Sequence, residues 1–260
     1  QAQRRGGKGK SATGVKDEDY IAHLLVANSH TTLLLFSSKG KVYWLKTYEI
    51  PEASRAARGR PLVNLLPLGE GEVITTMLPV EEYTEGHFIF MATANGTVKK
   101  TPLESFSRQR SVGLIALELD EGDILISASI TDGEREVMLF SDGGKVTRFK
   151  ESEVRAMGRT ARGVRGMRLP EGQKLISMLI PEEGSEILTA SERGYGKRTA
   201  ITEFPEYKRG GQGVIAMVSN ERNGRLVGAV QVQDGEEIML ISDQGTLVRT
   251  RVDEVSSLGR

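Results

Sequence analysis

The segment MLFSDGGKVTRFKE (138–151) contains an apolar run, a short polar turn with glycine, and a second run rich in Lys and Arg. Tight turns between antiparallel strands favour glycine, because it adopts positive φ at little steric cost, so the segment predicts a β-hairpin. The arrangement returns as LLLFSSKGKVYWLKT (33–47), IFMATANGTVKKT (89–101), ILTASERGYGKRT (187–199) and IMLISDQGTLVRTR (238–251). The chain is therefore built from internal repeats.

Two further blocks complete each repeat. The turn glycines Gly40, Gly96, Gly144, Gly194 and Gly245 are 56, 48, 50 and 51 residues apart. A second block reads TGV (13–15), VGLIAL (112–117), RGVRGM (162–167) and QGVIAM (212–217), and it is degenerate in RPLVNLL (60–66). A third reads EGEVITTMLPV (70–80), EGDILISASI (121–130), EGQKLISMLI (171–180) and NGRLVGAVQV (223–232). About four short strands in roughly 50 residues are typical of a propeller blade.

The prediction is one all-β domain over residues 1–260. Its repeat units are about 33–80, 88–130, 137–180 and 187–232, with partial units at 1–28 and 238–260. The partial units either complete one blade and close a five-bladed ring, or belong to a six-bladed ring. The repeat pattern leaves both alternatives open.

Composition excludes several classes of protein. The 260 residues contain no cysteine, which excludes disulfides and thiol chemistry and fits a reducing cytoplasm. The three histidines, His23, His30 and His87, are widely spaced, so we expect no zinc site and no metal. No apolar run approaches the ~20 residues that span a bilayer, and the first residues lack a signal peptide's apolar segment.

Basic and acidic residues fall in separate, alternating stretches that follow the repeat, although the net charge is zero. Residues 39–60 contain six bases and two acids, whereas 67–86 contain five acids and no base. Residues 97–110 contain four bases and one acid, and 116–137 seven acids and one base. Residues 145–168 contain eight bases and two acids. Because equivalent positions of a radial repeat fall on equivalent positions of the disc, the bases predict a positive band.

Such a band suits a duplex that follows the rim, since each cation replaces counterions condensed on phosphate. Bending DNA through a half-circle over ~40 base pairs costs on the order of 10 kcal/mol, so many contacts are needed. Aromatic residues are scarce, which disfavours stacking on single strands. The charge pattern selects these perimeter candidates: Lys99, Lys100, Arg148, Lys150, Arg159, Arg162, Arg165, Lys197, Arg198, Lys208, Arg209, Arg249 and Arg251.

QRRGGKG (3–9) is a separate basic box. Residues 1–16 contain five bases and no acid, and the paired glycines allow backbone amides to approach a phosphate closely. A flexible basic tail has the same composition. A nucleotide-binding P-loop is excluded, because Arg4 stands where that motif needs glycine before Gly9-Lys10-Ser11.

These motifs together resemble the C-terminal domain of the A subunit of bacterial DNA gyrase, from residue 1 to residue 260. The box Gln3, Arg4, Arg5, Gly6, Gly7, Lys8 and Gly9 carries the resemblance. So do KVYWLK (41–46), FMATANGTVKKT (90–101), VMLFSDGGKVTRFKESEVRAMG (137–158), GYGKRTA (194–200) and TLVRTRV (246–252).

The resemblance implies a six-bladed β-propeller-like disc, or β-pinwheel, whose blades exchange strands and whose first and last repeats are incomplete here. It implies that double-stranded DNA wraps on the perimeter with positive, right-handed chirality, and that the box completes the wrap. The expected partners are the A-subunit catalytic core and the B subunit in an A2B2 assembly. ATP and Mg are then needed on other domains, with no cofactor in this one. The domain is expected to be monomeric, non-catalytic, off the membrane, and cytoplasmic at the nucleoid.

The sequence leaves three alternatives. The corresponding domain of topoisomerase IV resembles this fold but lacks an intact box. A protein-interaction propeller would use its acidic surface to dock a partner. A self-contained enzyme is disfavoured, because no isolated carboxylate pair or nucleophile constellation is present. The six tyrosines fall in strands, loops or connections and are expected to be packing or surface residues.

Overall fold

The computed structural model describes residues 31–49 and 65–233, together with the backbone of three further strands at 10–11, 237–241 and 246–251. Strands and short 3-10 turns make up the regular structure of this described part, which contains no α-helix. Its strands are β1 (Lys10–Ser11), β2 (Thr32–Ser37), β3 (Lys41–Lys46), β4 (Ile74–Val80), β5 (Phe88–Thr93), β6 (Thr97–Pro102), β7 (Leu114–Ile115), β8 (Leu125–Thr131), β9 (Glu136–Ser141), β10 (Lys145–Lys150), β11 (Val164–Arg165), β12 (Leu175–Leu179), β13 (Glu186–Ser191), β14 (Gly196–Ala200), β15 (Val214–Ile215), β16 (Leu226–Val232), β17 (Glu237–Ile241) and β18 (Thr246–Arg251).

These strands form five antiparallel sheets in the described part of the chain. Sheet 1 has the order β4-β2-β3-β7, sheet 2 β8-β5-β6-β11 and sheet 3 β12-β9-β10-β15. Sheet 4 contains β16-β13-β14, and sheet 5 contains β17-β18-β1. The predicted hairpins are the central pair of sheets 1 to 3 and supply two of the three strands of sheets 4 and 5, and the third block supplies an outer strand of each of the first four sheets. The predicted all-β, propeller-like class is confirmed.

Neighbouring repeats exchange a short strand, as the resemblance implied. β7 follows the hairpin of sheet 2 along the chain but pairs with β3 of sheet 1. In the same way, β11 pairs with β6 and β15 pairs with β10. At the chain ends, Lys10 of β1 lies opposite Leu247 of β18. Both partial repeats therefore contribute strands to sheet 5.

The core lies between sheets rather than within one. Phe36 of sheet 1 packs edge-on against Phe106, which follows the hairpin of sheet 2, with ring centroids 5.9 Å apart. The equivalent pairs Phe90–Phe149 and Phe140–Phe204 each have centroids 6.4 Å apart. All six rings are buried. Burial on both faces explains why β2 and β9 are continuous apolar runs rather than alternating ones.

Glycine is required where a short strand meets the preceding sheet. Gly163 immediately precedes β11 and has φ +98°, and a Cβ there would lie 2.4 Å from the carbonyl oxygen of Val98 in β6. Gly213 precedes β15 in the same way, and a Cβ there would lie 2.4 Å from the carbonyl oxygen of Val146. The glycine of the second block therefore marks a point at which two repeats approach each other closely.

Candidate nucleic-acid interface

In three consecutive repeats a connecting segment leads from the hairpin to the exchanged strand, and these segments carry four of the predicted perimeter residues, Arg159, Arg162, Lys208 and Arg209. We name these segments by position: first, residues 103–113; second, 151–163; third, 201–213. Backbone hydrogen bonds tie two of them to the preceding sheet, from Met157 N to Lys100 O (2.7 Å) and from Tyr207 N to Arg148 O (2.7 Å). The segments therefore occupy equivalent positions on consecutive sheets.

An arginine clamp links consecutive segments. Arg159 Nη1 donates to the carbonyl oxygen of Ile115 in β7 (3.3 Å), and Arg209 Nη1 donates to that of Arg165 in β11 (2.6 Å). Ile115 and Arg165 are the second residues of their exchanged strands, so the two contacts are equivalent. Both arginines are half-buried, with part of the guanidinium engaged in holding the repeats together.

The predicted box falls outside the described residues, but the strand after it does not. β1 begins at Lys10 and pairs with the start of β18, as β15 begins at Val214 and pairs with the start of β10. This register aligns RGGKG (5–9) with RGGQG (209–213) of the third connecting segment. The sequence analysis had instead matched TGV (13–15) with QGVIAM (212–217), and this register corrects that match, because Gly9 takes the place of Gly213.

Two predicted perimeter lysines are not on the surface, and this corrects their assignment to an exposed band. Lys99 is fully buried, and its Nζ donates to the carbonyl oxygens of Ala116 (2.7 Å) and Arg159 (2.6 Å). Burial, together with the charge of Arg159, lowers the pKa of Lys99 from its ordinary 10.5 to about 7. A neutral amine retains the two N–H donors that these two carbonyls require.

Lys100 is the second of these lysines. It is also buried: its Nζ lies 3.7 Å from Glu151 Oε1 and 4.8 Å from the ring centroid of Phe88. Glu151 is itself fully buried and accepts hydrogen bonds from Thr131 Oγ1 and the backbone amide of Arg135. This network is an internal ion pair and leaves Lys100 no exposed charge for a phosphate.

Other predicted cations are partly neutralised by carboxylates. Arg148 pairs with Glu136 and donates to the carbonyl oxygens of Ile201 and Phe204, so it connects sheet 3 to the next repeat. The remaining pairs are Arg162 with Glu118 (2.9 Å) and Asp120 (2.6 Å), Arg198 with Glu186 (3.6 Å) and Lys150 with Glu206 (3.7 Å). The hydrogen bond with Glu136, followed by burial and by that carboxylate's charge, raises the pKa of Glu206.

The remaining residues predicted for the perimeter differ in how exposed their side chains are. Arg165 and Lys208 are exposed, and their side chains contact no carboxylate of the described residues. Lys197 is half-buried and donates to the carbonyl oxygen of Ala216 (3.2 Å), at the position equivalent to Lys99. The side chains of Arg249 and Arg251 lie outside the described residues. Arg108 and Arg110, which the charge count included but the perimeter set did not, are exposed in the first connecting segment.

Other site types find little support in the described residues. No group of three or more His, Asp or Glu side chains there is arranged to hold a metal ion. No helix in that part of the chain is long and apolar enough to cross a membrane. Tyr43 is buried and donates to Glu72, and burial raises its pKa well above the ordinary value. This tyrosine is a packing residue, as the sequence predicted.

Comparison with known proteins identifies the repeats. The family model described as "DNA gyrase C-terminal domain, beta-propeller" matches residues 1–28, 31–81, 87–132, 135–182, 185–233 and 236–260. The A subunit of DNA gyrase from Pseudomonas aeruginosa is 67% identical over 303 aligned positions, covering 100% of this chain and 33% of that protein. The same protein of Escherichia coli is 59% identical, covering 100% and 30%. The chain thus spans about a third of the curated relatives it matches.

Solved structures agree with this comparison. The structure of a DNA gyrase A C-terminal domain superposes with a TM-score of 0.83 at 30% identity, covering 100% of this chain and 85% of that one. The C-terminal domain of a DNA topoisomerase IV superposes with a TM-score of 0.82 at 29% identity, covering 94% and 78%. The fold alone does not separate the two kinds of protein.

Proposed function

Because the chain belongs to the family of DNA gyrase C-terminal domains, we propose that it binds duplex DNA along its connecting segments and bends it into a positive, right-handed wrap. One observation carries the proposal: the connecting segments occupy equivalent places on consecutive sheets and present exposed cations there. A duplex that passes from one repeat to the next meets a cation at each step. The summed release of counterions offsets the cost of bending.

The proposed site is narrower than the charge pattern alone indicated. It consists of the box Gln3–Gly9, the exposed Arg165, Lys208 and Lys150, and the outward part of Arg159 and Arg209. Lys99, Lys100 and Arg148 hold the connecting segments on the sheets through hydrogen bonds to backbone carbonyl oxygens. Phosphate contacts of this kind position a duplex without reading its sequence, so we expect little sequence preference.

The remaining partners follow from this role. The chain would act with the A-subunit catalytic core and the B subunit in an A2B2 assembly that introduces negative supercoils. Cleavage, ATP and Mg would belong to those parts, and the chain alone would catalyse nothing. We place it in the bacterial cytoplasm at the nucleoid. The topoisomerase IV domain is the second candidate, but the intact QRRGGKG favours the gyrase type.

A linking-number assay tests the proposal. Relaxed circular DNA is mixed with the chain, treated with a nicking-closing topoisomerase, stripped of protein and resolved by gel electrophoresis. We expect a positive linking difference that grows with protein concentration. Tight binding without a shift would move the assignment to the topoisomerase IV type. Absence of binding would favour the protein-interaction propeller.

A further inference from the structure

A pocket of about 300 Å³ opens between the first connecting segment and Arg159 of the next repeat. Residues of the first connecting segment and Leu114 of β7 line it, together with Arg159 of the second connecting segment. Its polar lining consists of Glu104, Ser105, Ser107, Arg108, Arg110 and Arg159. Three arginines and one glutamate therefore line a single small space.

The cations of this pocket lack the carboxylate partners found elsewhere in the described residues. Arg108 and Arg110 are exposed and form no side-chain hydrogen bond or ion pair with another described residue. Arg159 Nη1 donates to the Ile115 carbonyl oxygen, and the Arg159 side chain has no carboxylate partner among the described residues. By contrast, the nearby Arg162 is held by both Glu118 and Asp120. Three neighbouring positive charges repel one another until an anion lies between them.

The lining is held in place before any ligand arrives. Lys99 Nζ donates to the Arg159 carbonyl oxygen (2.6 Å), and the backbone of the same segment is tied to β6 through Met157. On the opposite side, Trp44 Nε1 donates to the Phe106 carbonyl oxygen (3.0 Å), and Ser107 Oγ donates to that of Glu104 (2.8 Å). Little ordering of the backbone is left for binding, which favours affinity.

We propose that this pocket binds one phosphodiester group of the duplex, with Arg108 and Arg110 as the contacting side chains and Arg159 as the third cation. Guanidinium forks match phosphate oxygens bidentately, and a pocket of about 300 Å³ has room for a phosphate and its water. The assignment rests on the proposed duplex binding and specifies one contact point for it. Among the exposed cations, Arg108 and Arg110 become contacts that the perimeter set omitted.

The test compares two double variants of the whole 260-residue chain. R108Q/R110Q removes the pocket charges, and R193Q/K174Q removes two exposed charges beside the hairpin turns, away from the pocket. Affinity for a 40-base-pair duplex is measured by fluorescence anisotropy across a series of salt concentrations. R108Q/R110Q is expected to bind about tenfold more weakly at 0.1 M salt, with a log–log salt slope shallower by about one. The control is expected to retain the wild-type slope.

A charge-retaining variant and a second ligand complete the design. R108K/R110K is expected to restore the salt slope but not the full affinity, because a lysine is not bidentate. Inorganic phosphate alone, titrated by calorimetry, is expected to show no saturable binding at millimolar concentration. If R108Q/R110Q keeps the wild-type affinity and slope, the pocket assignment is overturned while duplex binding stands. If only free phosphate depends on the arginines, the DNA assignment is overturned; if wild type does not bind the duplex, the proposed function itself fails.

Discussion

At the scale of single residues, a lysine's place in the repeat decides whether its charge reaches solvent. Lys99 and Lys100 are adjacent on β6, so their side chains leave opposite faces of the strand, yet both are covered. The central hairpins are sandwiched between neighbouring sheets, so neither face is free. Lys99 ends on two carbonyl oxygens, and Lys100 ends on a buried carboxylate.

Replacing Lys99 by methionine tests its lowered pKa. In the folded chain this lysine gives up its proton near pH 7, whereas the unfolded chain keeps it to about 10.5. The unfolded state therefore binds more protons between these values, and wild-type stability should rise with pH there, by at most about 1.4 kcal/mol per pH unit. K99M should lose this rise in denaturant unfolding measured from pH 7 to 10. The matched control is K174M, at an exposed lysine; parallel curves for wild type and K99M would contradict the prediction.

Glycine at a close approach of two repeats gives a second residue-scale prediction. Gly163→Ala adds a methyl group 2.4 Å from the Val98 carbonyl oxygen, whereas Gly172→Ala meets nothing within 4 Å. Both glycines have positive φ, +98° and +79°, so both variants carry the strain of that conformation. The steric overlap should cost G163A a further ~1–3 kcal/mol of unfolding free energy. If G163A and G172A lost the same unfolding free energy in urea titrations, the sheets would accommodate the methyl group at position 163 without cost.

At the scale of elements, the connecting segment is both a structural link and a binding surface. Its arginine clamp and exchanged strand tie each repeat to the one before it, and its exposed side chains supply the cations. Arg209 illustrates the double role, since Nη1 donates to Arg165 O while the backbone amide binds Glu153 Oε1. Mutating such a residue would disturb packing as well as charge, so exposed residues make cleaner tests.

The box is the element expected to affect wrapping more than simple binding. R4A/R5A/K8A removes one compact basic group at the point where the last sheet receives β1, while the distributed cations remain. We expect the linking-number shift to fall by most of its value, with only a several-fold loss of duplex affinity. The control K150A/R165A/K208A removes three exposed charges, in β10, β11 and the third connecting segment, and should lower both measurements together. Equal losses of wrapping and affinity in the box variant would refute its special role.

At the scale of the whole molecule, only a multi-contact surface can hold a bent duplex. A half-circle over ~40 base pairs costs on the order of 10 kcal/mol, more than one or two phosphate contacts provide. The segments follow one another with the repeat, so each adds its share. The acids alternate with the bases in the sequence, and several of them neutralise arginines that would otherwise extend the band.

Salt dependence measures how many phosphates the whole surface engages. We expect duplex affinity to fall with a log–log slope of about −5 to −9, which corresponds to roughly six to ten phosphates. The measurement is equilibrium binding of a 40-base-pair duplex between 0.05 and 0.3 M salt, repeated with an unrelated duplex sequence as control. A slope of −1 or −2 would be incompatible with wrapping along the rim. A large difference between the two duplexes would indicate base readout instead.

Much of the architecture could be predicted from the letters because its causes are local. Turn glycines, apolar runs and the period of about 50 residues indicate hairpins and blades without knowledge of their neighbours, and the box is a contiguous motif. The exchanged strands were harder to predict: Val164–Arg165 is two residues long and carries no periodicity of its own. Its partner in β6 is selected by packing between repeats.

Tertiary structure alone decided which charges are available. The partners of Arg162 are 42 and 44 residues away in sequence, and Lys99 reaches Arg159 across 60 residues. Charge counted along the chain cannot distinguish an exposed cation from one neutralised by a distant carboxylate or covered by the next sheet. The sequence by itself determined the repeat and the fold class. Folding decided which cations remain free to meet a phosphate, because burial and pairing depend on contacts between repeats.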